Sequence, residues 1–222
     1  MRKQDINGSW HSGIPSWAEL KKMARAGTID QVLSEGDLIP IRLANGEENA
    51  IRVTHDQAGN MFFVFENCLD KQFPMNRNAT SVGGWVRSKM RAYLNGEVAK
   101  QLPGDLLESI EPISVEQFSM PDMTYAKSHD KLFLLSEKQV FGESRYSKSE
   151  KGVSQLKILE GSMERRVKNR GGKPSWWWLR LPYSGNYGSF VIVSSSGAVG
   201  WNSASYSGGV APGFCLIEPR KI

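Results

Sequence analysis

The sequence has few of the residues that carry covalent or metal chemistry. Only two of its 222 residues are cysteines, Cys68 and Cys215, and only three are histidines. Two cysteines so far apart match neither a zinc-binding spacing nor a disulfide framework. We therefore expect two buried thiols that pack as small hydrophobic groups, with one structural disulfide as the alternative. Stability then has to come from the hydrophobic core.

Recognisable catalytic motifs are also missing. The sequence contains no G-x-S-x-G elbow, Walker loop, G-x-G-x-x-G loop or H-E-x-x-H helix. His55 and His129 each precede an aspartate, but sequence neighbours do not make a catalytic triad, because their side chains need not face each other. We predict no catalytic residue, no metal site and no cofactor, and hence a protein that is not an enzyme.

Long apolar runs are absent as well. No run approaches the roughly 18–20 residues that span a membrane, and residues 1–10 lack the apolar region of a secretion signal. Hydrophobic residues make up 40% of the chain and charged residues 23%, which is typical of a globular protein. We predict no membrane insertion, no signal peptide and a single domain over residues 1–222, with 1–36 as an N-terminal extension.

Charge is unevenly distributed along the chain. Residues 142–175 hold nine Lys or Arg and four Glu, which accounts for the whole net charge of +5. This basic stretch precedes the tryptophans at 176–178, so phosphate tracking with base stacking is one interpretation. The aromatic residues follow the charges rather than interleave with them, which favours a solvated, partly helical surface loop. We predict no nucleic-acid partner.

Hydrophobic periodicity predicts an α+β fold with two main helices. The first helix covers 17–26, with Ser16 and Glu19 as a capping box and Gly27 after it. The second covers 84–94 and ends at Asn95-Gly96, and 105–110 predicts a short helix. The predicted strands are 38–43 and 49–54, joined at Asn45-Gly46, and then 61–65, 131–136, 176–179, 189–194 and 214–217.

The most informative absence lies near the C-terminus. Residues 181–217 contain no Asp, Glu, Lys or Arg, and the segment 183–207 holds eight Ser, three Tyr, two Asn and four Gly. Small hydroxyls and rigid aromatic rings are the composition of antibody paratopes, because they supply contact area and adaptable hydrogen bonds. Trp178 shares a strand face with Trp176, so it is either a further contact residue or core. We predict a binding surface here.

Four stretches resemble a known family. They are GGWVRSKMRAYLN at 83–95, DKLFLLS at 130–136, WWLR at 177–180 and GVAPGF at 209–214. Together they resemble a C-type-lectin-like domain of phages and prophages, in the formylglycine-generating-enzyme-like form of that fold. The resemblance covers residues 37–222 and implies short, mostly antiparallel strands with long irregular loops. The same fold serves as the variable protein of diversity-generating retroelements.

The resemblance implies a diversified surface that binds a host-cell receptor, either a protein or a glycan. Trp201 cannot arise from adenine mutagenesis of Asn codons, so we expect it to be scaffold or a fixed contact. The location implied is a virion, such as a phage tail, or the bacterial cell surface or exterior, with a homo-oligomer possible. The expected contact residues are Trp178, Tyr183, Asn186, Tyr187, Trp201, Asn202, Ser203, Ser205 and Tyr206.

Several residues depart from the related patterns. Leu181 stands where relatives often have Ser, and Ala211 stands where they often have Arg. The segment also lacks the carboxylates that calcium prefers, so no calcium site is expected. Two other functions stay open. One is a structural virion or cell-surface domain in which this surface packs on a neighbouring subunit, and the weaker one is a formylglycine-generating-type enzyme that uses Cys68 and Cys215.

Overall fold

The computed structural model describes residues 1–119 and 124–220. Within these ranges the chain forms four α-helices and thirteen strands. The helices are α1 (Trp17–Ala26), α2 (Lys89–Tyr93), α3 (Gly104–Ser109) and α4 (Glu137–Phe141). The strands are β1 (Arg2–Gln4), β2 (Trp10–Ser12), β3 (Leu38–Arg42), β4 (Glu48–His55), β5 (Met61–Phe65), β6 (Ile113–Ser119), β7 (Thr124–Asp130), β8 (Lys168–Arg170), β9 (Lys173–Ser175), β10 (Trp177–Pro182), β11 (Ser189–Val193), β12 (Val199–Ser203) and β13 (Gly213–Phe214).

The strands form small antiparallel sheets. One sheet has six strands in the order β13-β5-β4-β3-β1-β2, and a second has three in the order β10-β11-β12. The pairs β6-β7 and β8-β9 are separate hairpins. The expected mixture of helices with mostly antiparallel strands is confirmed, although only α1 is a long helix. Buried apolar side chains from Ile14 to Leu216 make one contiguous core.

The N-terminal helix forms as its sequence predicts. The Ser16 side chain accepts from the Glu19 backbone N–H while the Glu19 carboxylate accepts from the Ser16 N–H, and Gly27 closes the helix at φ 70°. Trp17 and Leu20 are buried. The Trp17 ring meets Phe63 edge-on at 5.6 Å, which joins this helix to the six-stranded sheet. The predicted β3–β4 turn, strand β5 and helix α3 also form.

The predicted second helix over 84–94 begins later than expected. Ser88 caps α2, because its side chain accepts from the Arg91 N–H at 3.0 Å. Gly83 and Gly84 precede it with φ of 78° and 53°, a left-handed backbone that starts no helix. Trp85 therefore lies before the helix, buried, with its indole N–H donating to Asp130 at 2.8 Å.

The predicted stop at Asn95-Gly96 and the predicted strand over 131–136 are also wrong. Helical turns continue through Leu94–Val98 as a wider helix, because Asn95 bonds to other segments rather than ending the helix. Its side chain accepts from Lys131 and Leu132 N–H groups and donates to the Leu132 carbonyl. Residues 132–135 are buried, but they form no strand and pair only at the isolated bridge between Phe133 and Gly213.

The basic stretch over 142–175 is less solvated than expected. It contains two short 3-10 turns and the β8–β9 hairpin, and Leu156 and Lys168 are buried. Glu150 is buried too, because it pairs with Arg180 of β10. Ion pairs of this kind cannot be read from a charge count. The Glu150–Arg180 pair therefore connects this stretch to β10, in the sheet that carries the candidate site.

Candidate functional site

The segment 183–207 is mounted on the three-stranded sheet. Its residues make β11 and β12, which pair in register from Ser189↔Ser203 to Val193↔Val199. The Ala204 N–H donates to the Gly188 carbonyl at 2.8 Å, so the pairing continues one step further. Loops 183–188 and 204–207 consequently leave the sheet at the same end.

The segment is partly core and partly surface. Phe190, Val191 and Val193 are completely buried, as is Ala204. Three rings point outward instead: Tyr187, Trp201 and Tyr206 are 56%, 50% and 59% exposed. We call these three residues the three-ring surface. The composition of the segment predicted a binding surface, but it could not say which residues would be buried and which exposed.

Tyr183 lies beneath this surface rather than on it. Its ring stacks on Trp201, with centroids 5.1 Å apart and planes at 3°. It also contacts the Tyr146 ring, with centroids 5.6 Å apart and planes at 40°. Tyr183 is half-buried, so the stack holds the Trp201 indole in place. Tyr183 therefore supports the surface more than it contributes contact area to it.

The polar residues of the segment hold its loops. The Asn186 carboxamide accepts from the Gly188 N–H at 2.9 Å, and the Asn202 carboxamide accepts from the Ser203 N–H at 2.9 Å. The Ser203 and Ser205 hydroxyls lie 3.1 Å apart. All four predicted contact residues are half-buried. In the described part of the chain, the NH₂ groups of the two asparagines have no protein acceptor, so they remain available as donors.

A loop that the sequence did not single out supports the surface from below. The Asn76 N–H donates to the Ala204 carbonyl at 2.9 Å, and the Ser81 N–H donates to the Tyr187 carbonyl at 2.7 Å. The Asn76 side chain donates to the Thr80 carbonyl at 2.7 Å, which closes this loop on itself. Both loops of the candidate site are thus fixed by backbone hydrogen bonds.

Trp178 is not a contact residue, and this prediction was wrong. Its side chain is completely buried. The indole N–H donates to the Phe73 carbonyl at 3.0 Å, and the ring meets Trp176 edge-on at 5.0 Å. Trp177 is buried as well. Both faces of β10 are covered by other elements, which alternation within a strand could not reveal.

The stack of rings is anchored by two buried carboxylates. Glu137 of α4 accepts from the backbone N–H groups of Arg145, Tyr146 and Ser147 at 2.7–2.9 Å. This fixes the backbone that carries the Tyr146 ring. Glu150 binds Arg180 through two hydrogen bonds of 2.9 and 2.7 Å. The segment that carries Tyr146 is therefore bound to β10, the strand that immediately precedes Tyr183.

Two cations of the basic stretch, Lys168 and Arg166, are engaged within the protein. Lys168 donates to the Phe65 and Glu66 carbonyls at 2.5 and 3.1 Å, and burial lowers the pKa of its ammonium group. Arg166 donates to the Leu159 and Gly161 carbonyls, both at 3.1 Å. These two side chains are not free to follow a row of phosphates.

The two thiols and the possible metal ligands show no arrangement for covalent or metal chemistry in the described residues. Cys68 and Cys215 are free thiols and both are buried, so the alternative of a structural disulfide is wrong. Burial raises the pKa of Cys68 to about 11, and it raises that of Cys215 as well. Over residues 1–119 and 124–220, no group of three or more His, Cys, Asp or Glu is placed to hold a metal ion. Among the helices of these ranges, none has the length and hydropathy of a membrane-spanning segment.

Comparison with known proteins gives one match. Searches of curated proteins and of solved structures found no similar protein. A protein-family profile described as a domain of unknown function, DUF6273, matches residues 58–218. The match covers well over half of the chain and includes all of the segment 183–207. The chain therefore belongs to the DUF6273 family.

Proposed function

We propose that this chain is a ligand-recognition protein of phage or prophage origin that binds a host-cell receptor through its three-ring surface. The observation that supports this most is the exposure of Tyr187, Trp201 and Tyr206 on a charge-free segment. Exposed rings on a mobile loop would pay an ordering cost on binding. Here the stack on Tyr183 and the backbone bonds to 76–82 reduce that cost before the ligand arrives.

The chemistry of the surface suits recognition. Tyrosine and tryptophan bury much apolar area with few rotatable bonds, and truncating such an anchor typically costs about 1–3 kcal/mol of binding free energy. The donors of Asn186 and Asn202, with the hydroxyls of Ser203 and Ser205, supply adaptable hydrogen bonds around the rings. The proposed ligand site therefore has fixed aromatic anchors beside adjustable polar groups.

The same proposal includes the finer fold and the origin of the surface. We propose a single C-type-lectin-like domain whose segment 183–207 is diversified by a retroelement, as the four resembling stretches imply. The division within the segment agrees with this idea. Buried positions of β11 would stay constant, whereas Asn186, Tyr187, Asn202, Ser203, Ser205 and Tyr206 would vary without removing core contacts.

A cell-binding assay tests the recognition proposal. Fluorescently labelled protein would be applied to a panel of intact gut-bacterial strains, and binding measured by flow cytometry. We expect strain-selective binding that Trp201→Ala weakens at least tenfold. Trp10→Ala is the matched control, since Trp10 is 54% exposed against 50% for Trp201 but lies on β2. Equal losses for both variants would contradict a site at the three-ring surface.

A genomic comparison tests the diversification proposal separately. We expect a repeat near the gene whose sequence equals that of the region encoding 183–207 except at adenines. Substitutions at other bases, or no repeat, would contradict diversification and leave recognition standing.

An assembly role is the second candidate, because exposed rings also form subunit interfaces. Light scattering distinguishes the two. A stable oligomer that Tyr187→Ala and Tyr206→Ala convert to monomer would favour assembly over recognition.

A further inference from the structure

One edge of the three-stranded sheet is open. The Ser194 N–H donates to the Ala198 carbonyl at 2.7 Å, and the Ala204 N–H donates to the Gly188 carbonyl at 2.8 Å. Directly opposed residues of an antiparallel pair alternate between hydrogen-bonded and non-hydrogen-bonded. Because both of these bonds join even-numbered residues, Gly200 and Asn202 bond to β11. Val199, Trp201 and Ser203 then direct their backbone groups away from it.

The outward groups at Ser203 are already used, whereas those at Val199 and Trp201 are not. The Ser203 N–H donates to the Asn202 side chain and its carbonyl accepts from the Tyr206 N–H. No described residue donates to or accepts from the outward N–H and C=O groups of Val199 and Trp201. The edge thus offers two donors and two acceptors with the two-residue spacing of a strand.

Two other edges are covered: the opposite edge of the same sheet, at β10, and the β13 edge of the six-stranded sheet. On β10, the Trp178 N–H donates to the Gly209 carbonyl and the Arg180 N–H to the Leu135 carbonyl, both at 3.0 Å. On β13, Gly213 exchanges two backbone bonds with Phe133. Open edges in natural proteins are usually protected by a charged residue or a proline. The sequence of β12, VGWNS, contains neither.

A cleft lies beside this edge. It has a volume of about 280 Å³ and is lined by four apolar residues, Phe141, Met163, Ala198 and Val199, and by four charged ones, Glu137, Glu143, Arg145 and Arg166. Val199 lines the cleft and also lies on the open edge. Because side chains alternate along a strand, an added strand would direct every second side chain toward the face that carries this cleft.

We infer that β12 accepts an extended peptide segment of a protein receptor as a fourth strand of the three-stranded sheet. The inference rests on the proposed recognition function and specifies its partner. Main-chain hydrogen bonds to Val199 and Trp201 would supply affinity, and the cleft would receive a side chain of the peptide. A glycan offers no regular row of alternating donors and acceptors to match this edge.

Selection from a library of displayed linear peptides supplies the probe. Peptides enriched on the full chain would be studied by residue-resolved amide exchange. In the free protein we expect fast exchange at Val199 and Trp201 and slow exchange at Gly200 and Asn202. In the complex, the Val199 and Trp201 amides should slow at least tenfold, because a bonded amide exchanges only when the structure opens. Unchanged exchange at both amides would overturn the inference.

A pair of variants tests the same bonds from the protein side. Val199→Pro removes an outward N–H without removing a bond to β11, whereas Val199→Thr keeps that N–H. We expect peptide affinity to fall about tenfold or more for the proline variant and less than about threefold for threonine. Equal affinities would overturn the inference. If Val199→Pro unfolds, peptides N-methylated at alternate residues test the same bonds on the unaltered protein, and they should bind at least tenfold more weakly.

The cell-binding assay separates failure of this inference from failure of the proposed function. If no peptide is enriched while cell binding still depends on Trp201, recognition stands and strand addition is overturned. Strand addition is likewise overturned if the protein binds a glycan on an array and the Val199→Pro and Val199→Thr variants bind that glycan equally well. Recognition then still stands. If Trp201→Ala and Val199→Pro both bind cells as well as the parent does, the proposed function and the strand-addition inference are both overturned.

Discussion

The Tyr183 and Trp201 rings lie parallel, with their planes at 3° and their centroids 5.1 Å apart. Tyr183 also contacts Tyr146. The indole of Trp201 is the exposed member of this group of three rings, and Tyr183 is the member that contacts both others. This arrangement gives the Tyr183 ring a structural role and the Trp201 ring a binding role, and the two can be separated by mutation.

Truncation of the Tyr183 ring should weaken the fold. We expect Tyr183→Ala to lower the free energy of unfolding by about 2 kcal/mol, because it removes a half-buried ring together with two aromatic contacts. Tyr183→Phe is the control and should stay within about 0.5 kcal/mol of the parent. Urea denaturation monitored by tryptophan fluorescence measures both. A Tyr183→Ala protein as stable as the parent would contradict the supporting role of this residue.

Truncation of the exposed tyrosines should weaken binding and leave the stability of the fold unchanged. Tyr187→Ala and Tyr206→Ala should leave the free energy of unfolding within about 0.5 kcal/mol of the parent, since both side chains are more than half exposed. Each should weaken binding to the cells that the parent binds, by about 1–3 kcal/mol. Titrating labelled protein onto those cells measures the loss. Tyr125→Ala, at a tyrosine 75% exposed on the β6–β7 hairpin, is the control that should bind normally.

The Arg180–Glu150 pair should be essential for stability. The side chains are 5% and 4% exposed, so Arg180→Met would leave a buried carboxylate without its cation. Removing one partner of a buried ion pair typically costs about 3–5 kcal/mol. We expect a loss of that size in urea denaturation. The double variant Arg180→Met with Glu150→Met should lose less than the sum of the single variants, and strict additivity would show that the pair does not couple.

His55 should make stability depend on pH. Its ring contacts Glu35 at 2.9 Å and Asp30 at 3.1 Å, and the hydrogen bond to Glu35 is the main reason that its pKa is raised above 6.5. A raised pKa stabilises the folded state below the unfolded pKa, and this stabilisation is lost as pH rises through the folded value. The stability difference between the parent and His55→Gln should therefore be largest just below pH 6.5 and shrink toward alkaline pH.

The acidic limit of the same pH window is set by Glu35. Burial alone would raise the pKa of Glu35, but hydrogen bonds from His55 and Thr54 outweigh it, so the pKa lies below 4.5. Its contribution is present above pH 4.5 and is lost as pH falls through the lowered value. A difference between the parent and His55→Gln that grows as pH rises above 6.5 would contradict the His55 assignment, and one that grows as pH falls below 4.5 would contradict the Glu35 assignment.

The two thiols should be unreactive in the folded protein. Cys68 and Cys215 are buried, and burial raises both pKa values, to about 11 for Cys68, so almost no thiolate forms near neutral pH. We expect a thiol reagent such as DTNB to label neither residue until urea unfolds the chain, and then to label both. Rapid labelling of the folded protein would show a reactive cysteine and would revive the enzyme hypothesis.

Local signals were the most predictable part of this fold. The α1 capping box, the Asn45-Gly46 turn and the apolar run of β5 depend on neighbouring residues, and all three form. The predicted helix over 84–94 begins only at Lys89, because Gly83 and Gly84 adopt a left-handed turn that the apolar pattern does not record. The apolar run over 131–136 is largely buried, as a strand would be. It pairs with Gly213 at a single bridge, and a local pattern cannot show that no longer ladder forms.

The candidate site was predictable in composition but not in detail. Absence of charge indicated where a surface could lie, and Tyr187 and Tyr206 are exposed as expected. Burial of Trp178 depends on Phe73 and Trp176 packing around it, which no local pattern contains. Strand β12, missed from the sequence, has the irregular composition VGWNS and forms because β11 pairs with it.

Hydroxyl-radical footprinting of the protein on the cells that it binds is the decisive measurement for the three-ring surface. We expect Tyr187, Trp201 and Tyr206 to be oxidised readily in the free protein and to be protected on the bound protein, while Trp10 and Tyr125 are oxidised equally in both states. Slow oxidation of the three rings in the free protein, or unchanged oxidation after binding, would contradict recognition through this surface.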